Sequence, residues 1–83
     1  MNDIPPDDTE ARLRWLEAQA EISYTRMYDA PFGASATAAY NDTKECLHDA
    51  IALAQRLGKP ADADRLAHRL AHIKGVFRNQ FSG

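Results

Sequence analysis

Asp64, His68 and His72 follow one another at intervals of four residues, so on a helix they form a row along one face. Two histidines at i and i+4 can chelate Zn2+, Ni2+ or Cu2+, and a carboxylate one turn away can add a third donor. A structural or catalytic zinc site takes three or four protein ligands, and no fourth residue stands at a recognisable spacing here. The segment also lacks the glutamate of a His-Glu-x-x-His pair. The row reads first as a solvated polar face, and no cofactor is expected. A metal-binding or phosphoryl-accepting module built on His68 and His72 is the competing class.

The second chemical feature is an uneven distribution of charge. The net charge is −2, but residues 1–55 hold ten acids against four bases, a balance of −6. Residues 56–83 hold six bases against two acids, a balance of +4. Arg65, Arg69, Lys74 and Arg78 could therefore meet nucleic acid or an acidic partner. The favoured reading sets the basic segment against the acidic helices of its own fold, because the whole chain lacks the basic excess of a typical nucleic-acid binder. Binding to nucleic acid stands as the second alternative.

His72-Ile73-Lys74-Gly75 resembles the His-x-x-Lys-Gly signature of histidine-containing phosphotransfer domains, which are helical bundles. The resemblance covers four residues and departs at the spacing. In that family the lysine and glycine follow the histidine by three and four positions and share its face. Lys74 follows His72 by two, which turns it about 200° around a helix. The hairpin over residues 35–79 also fails as a tetratricopeptide repeat, since its second helix is too long for a 34-residue unit and only one copy exists.

Catalytic constellations are absent from the sequence: there is no Ser-His-Asp or Cys-His spacing, and no phosphate-cradling glycine loop. The chain is therefore not read as an enzyme. Cys46 falls on an apolar helix face, as an inert small hydrophobe rather than a nucleophile. His48 falls on the polar side of the same helix. Tyr24, Tyr28 and Tyr40 read as core aromatics with wet hydroxyls.

Three helices must position these groups, and the expected fold is an all-α, up-down-up antiparallel three-helix unit. Residues 1–6 read as a loose tail and residues 7–83 as a single domain, which is what 83 residues allow. Two breaks divide it, Ala30-Pro31-Phe32-Gly33 and Gly58-Lys59-Pro60, where proline opposes helix before it and glycine permits a turn. The helices are expected over about 8–28, 35–57 and 60–79. Asp7 with Glu10 has capping-box spacing, and Ser35 is the expected N-cap of the second helix. In that helix Ala36, Tyr40, Thr43, Leu47, Ala50, Ala54 and Leu57 alternate as a heptad seam. Ala39, Cys46 and Leu53 widen it on one side and Ile51 on the other, and the many alanines imply a close neighbour. Ala63, Leu66, Leu70, Ile73 and Phe77 form the third seam, extended by Phe81 if the helix persists. Gly75 predicts fraying or unusually close packing near the end.

The first helix carries two apolar lines. Leu13, Leu16, Ala20, Tyr24, Met27 and Tyr28 share one face, and Ala11, Trp15, Ala18 and Ile22 lie nearly opposite. An ordinary surface helix shows one. Either the helix is buried on both sides, or the second line is a contact surface, for which tryptophan is a favoured residue. The second option is preferred. The function read from the sequence is thus protein–protein association, including self-association as a helical-bundle dimer, with an unidentified protein partner also open.

Cys46 is the only cysteine, so no disulfide can form within the chain, which suits a reducing compartment. The N-terminus is acidic without an apolar stretch, and no run approaches the ~20 apolar residues of a membrane span. A cytoplasmic protein without membrane contact is expected.

Overall fold

A computed structural model describes residues 9–29 and 33–80, and they form three helices. These are α1 (Glu10–Asp29), α2 (Gly33–Arg56) and α3 (Pro60–Gln80). The all-α three-helix unit is therefore present. The expected tail over residues 1–6, the Ala30-Pro31-Phe32 part of the first break and Phe81 lie outside the described residues.

The ends of the helices show why they start and stop where they do. Asp7, the expected capping partner of Glu10, is not among the described residues. The cap observed is Thr9. Its hydroxyl accepts the Arg12 amide at 3.3 Å and its carbonyl accepts the Leu13 amide at 3.0 Å, satisfying donors that the first turn leaves open. Ser35 is not the cap of α2, which already begins at Gly33 and places Ser35 within its first turn. Glycine is tolerated at a helix entrance, so a break residue can also open the helix it precedes.

The second turn matches its sequence closely. Gly58 takes φ +71°. The Lys59 amide donates to Ala54 and the Gly58 amide to Gln55, at 2.9 and 3.1 Å, the double closure of a Schellman motif. Lys59 then caps α3 through its carbonyl, which accepts the Ala63 amide at 3.0 Å, and Pro60 stands at the first helical position, where no donor is missed.

Gly58 and Gly75 make opposite predictions. A Cβ at either would meet no heavy atom within 4 Å, so the backbone alone decides. Gly58→Ala is expected to destabilise by about 1 kcal/mol, because a side chain disfavours the left-handed region. Gly75 lies inside α3 with no positive φ, and Gly75→Ala is expected to stabilise by about 0.5–1 kcal/mol. Urea unfolding of the two variants should shift the midpoint in opposite directions. The close packing expected at Gly75 is not found.

α2 is the shared element. It packs along α1 and along α3, while the α1 and α3 backbones approach each other closely at few points. Of its expected seam, Ala36, Thr43, Leu47, Ala50 and Ala54 are buried, together with Ala39 and Leu53 beside it, whereas Tyr40 and Leu57 are half-buried at its margin. Leu47, Ala50, Leu53 and Ala54 meet Leu13, Leu16 and Ala20 of α1 and Ala63, Leu66, Leu70 and Ile73 of α3 in the main core. A second cluster forms around Met27, Ala36 and Ala39, with Tyr24, Tyr40, Val76 and Phe77 packed against it. There Tyr40 and Phe77 stack at 3.9 Å between centroids with their rings 1° from parallel. Thr43 is fully buried, and its hydroxyl donates to the Ala39 carbonyl at 2.8 Å. That bond removes the penalty of an unpaired polar group in the core.

Two α1 positions differ from expectation. Ser23 is buried on the inner face, whereas Tyr28 is 47% exposed. Tyr28 lies at the margin of that face, so its ring meets Tyr24 edge-on at 5.3 Å and its hydroxyl pairs with the Tyr24 hydroxyl at 3.2 Å. Burial, reinforced by that hydroxyl contact, raises the Tyr24 pKa above the usual tyrosine range.

Candidate functional site

The outer line of α1 is set by the way α2 is shared. Leu13, Leu16, Ala20, Ser23 and Met27 face inward, and α3 packs mainly on α2, with few close approaches to the α1 backbone. Among the described residues, no other helix covers the outer line of α1. Ala11 and Ala18 are exposed and Ile22 is 46% exposed. Trp15 is half-buried, its ring leaning against the main core. The four residues thus form a narrow apolar line with two alanines, where another backbone could approach, and two larger side chains beside them.

A different edge of α1 faces α3 through charge. Lys59 Nζ lies 2.9 Å from a Glu10 carboxylate oxygen. Arg65 donates to both oxygens of Glu17 at 2.9 and 3.0 Å and to Asp62 at 3.3 Å. Arg69 donates to both oxygens of Glu21 at 2.9 and 2.7 Å, and its guanidinium lies 4.9 Å from the Tyr24 ring centre. The order of these pairs along both helices shows α1 and α3 running in the same direction. An open groove of about 380 Å3 separates them, walled by Glu17, Glu21, Arg65, Arg69 and His68 with Leu47 and Leu66 beneath. The pairing was available to sequence reasoning as a matched spacing, since Glu17 and Glu21 stand four apart, as do Arg65 and Arg69. Counting charges by segment set the basic third against the acidic helices of the fold, as these pairs do, but did not name the partners.

This seam accounts for much of the basic C-terminal segment. Arg65 and Arg69 are engaged by α1 carboxylates, and each guanidinium is held above its ordinary pKa chiefly by hydrogen bonds to those glutamates. Lys74 is half-buried and Arg78 exposed. The four residues considered for nucleic acid are therefore not arranged as one open basic patch.

The Glu10–Lys59 pair has a pH signature. The Lys59 ammonium, by hydrogen bond and then by charge, holds Glu10 below its usual value of 4.5, and the same contact raises Lys59 above 10.5. A depressed carboxylate contributes stability that is present above its unfolded pKa and lost as pH falls through the folded one. A raised lysine contributes stability that is present below its unfolded pKa and lost as pH rises through the folded one. Glu10→Gln is therefore expected to flatten part of the stability loss below about pH 4.5 and part of that above about pH 10.5. Urea midpoints should fall less steeply in the variant than in the parent chain, both towards acid and towards alkaline pH.

Asp64, His68 and His72 are all exposed on α3. The His68 Nδ1 lies 2.8 Å from the Asp64 carbonyl oxygen; because that oxygen can only accept, Nδ1 carries the proton and Nε2 is left facing away. Among the described residues, no three His, Cys, Asp or Glu side chains are gathered closely enough to hold a metal ion. The three side chains lie along one exposed face of α3. His72 is exposed and Lys74 half-buried, in keeping with their separation around the helix.

Cys46 is half-buried at the core margin. Burial, with the negative charges of Asp49, Asp42 and Glu45, pushes its thiol pKa upward, away from the thiolate a nucleophile needs. No described helix is long and apolar enough to cross a membrane. Comparison with known protein families, curated proteins and solved structures finds no match to any of them.

Proposed function

We propose that this chain is a small helical module for protein–protein association, and that it self-associates through the outer line of α1. The observation that carries the reading is the uncovered row of Ala11, Trp15, Ala18 and Ile22, with Ile22 46% exposed in the single chain. Two copies related by a two-fold axis would cover the row with itself. Ala18 would let the two α1 backbones approach. Trp15 and Ile22 would supply the apolar area, at roughly 1.5–3 kcal/mol for each large side chain if buried from full exposure and less here because both begin partly covered. One short helical line is well below the roughly 800 Å2 per partner of a standard interface. The expected association is therefore micromolar rather than nanomolar.

The module acts by binding rather than by catalysis and belongs in the cytoplasm. A single cysteine, which allows no disulfide within the chain, supports a reducing compartment. Sedimentation equilibrium tests the proposal directly. The weight-average mass should rise from one chain towards two across the micromolar range. A mass that stays at one chain up to high micromolar concentration would remove self-association.

A further inference from the structure

Above the apolar clusters that they share on α2, α1 and α3 face each other across a gap. Each lies against α2, their backbones come close at few points, and the groove between them opens to solvent above Leu47 and Leu66. What spans it are two ion pairs in one register, Glu17–Arg65 and Glu21–Arg69, with Glu10–Lys59 joining α1 to the turn before α3. All six side chains are partly exposed. A solitary exposed pair contributes little, but bidentate geometry and a network are the conditions under which such pairs hold. Two of these pairs are bidentate, and α2 already holds both sides of the seam. Close apolar packing would be indifferent to salt, whereas partly exposed charges are not.

We infer that the three pairs form a salt-sensitive clasp. Closed, it holds α3 beside α1 over Leu47 and Leu66. Released, α3 moves away from α1 about the Gly58 turn while keeping its packing on α2, and the two leucines become accessible. Arg65 is also engaged by Asp62, Glu10 by Arg14, and Arg69 by the Tyr24 ring. Of these secondary contacts, those to Asp62 and Arg14 lie within one helix and survive release.

The test measures distances within the full chain. In a Cys46→Ala background, nitroxides are placed pairwise at the exposed positions Thr25, Asn41 and Ala71 as cysteine substitutions, with unlabelled chain in excess to isolate distances within one molecule. Pulsed electron resonance should give a narrow 25–71 distance at about 0.1 M NaCl. At about 1 M, where the Debye length falls from ~10 to ~3 Å, that distance should lengthen by several ångströms and broaden. The 25–41 distance and the helical circular dichroism should stay constant. Glu17→Gln with Glu21→Gln should open the 25–71 distance without added salt. Glu21→Arg should open it too, and adding Arg69→Glu should close it again. An unchanged 25–71 distance at high salt and in the double glutamine variant would overturn the clasp. Simultaneous change of the 25–41 distance with loss of helix would overturn it as well, because the seam would then be inseparable from global folding.

Discussion

Leu53→Ala is expected to lower stability by about 2–5 kcal/mol, the cost of a cavity left by a large aliphatic side chain. Leu53 has no exposed surface and sits where α2 meets the main core. α2 serves both other helices, so the vacancy is lined from more than one side and cannot collapse by moving a single element. A folded domain of this size has roughly 0.05–0.15 kcal/mol of stability per residue, so the loss is a large share of the total. In a chain of this length each 1 kcal/mol moves Tm by roughly 4–8 °C. The melting temperature should fall by tens of degrees, or the variant should be partly unfolded at room temperature. Ile22→Ala supplies the contrast. At dilutions where the chain is a monomer, it should change stability by no more than about 0.5 kcal/mol, as surface substitutions do. Circular dichroism melts of the two variants check both expectations, and equal losses would mean that α2 is not the shared core element.

Trp15→Glu combined with Ile22→Lys should convert an associating chain into a folded, more soluble monomer. The two positions are not equivalent. Ile22 is 46% exposed, so a lysine there can extend into water at little cost. Trp15 rests partly on the main core, and replacing it with glutamate loses that contact, so a modest fall in melting temperature should accompany the loss of association. Ile22→Lys alone separates the effects: it should weaken the dimer while leaving the monomer's stability close to that of the parent chain. Sedimentation equilibrium gives the mass and circular dichroism the helix content. If the double variant unfolds outright, the outer line belongs to the internal core and the proposed surface is lost.

Elements governed by local rules were legible from residue order. Gly58-Lys59-Pro60 closes α2 and opens α3 because glycine accepts a positive φ and proline needs no donor at a helix start, and neither requirement involves a distant residue. The α2 seam from Ala36 to Ala54 was legible because a period near 3.5 places those side chains on one stripe whatever lies opposite. The partition of the two α1 lines into inner and outer could not be read in the same way. Periodicity shows that both are apolar, but only the placement of α3 beside α2 rather than behind α1 leaves Ile22 exposed and lets Trp15 reach the core from its margin. The charges follow the same division. Spacing of four residues was visible at Glu17 and Glu21 and again at Arg65 and Arg69, but each pair joins residues 48 positions apart. Whether such carboxylates meet guanidiniums or water depends on which helix edges the packing on α2 turns towards each other, and that is a property of the assembled helices.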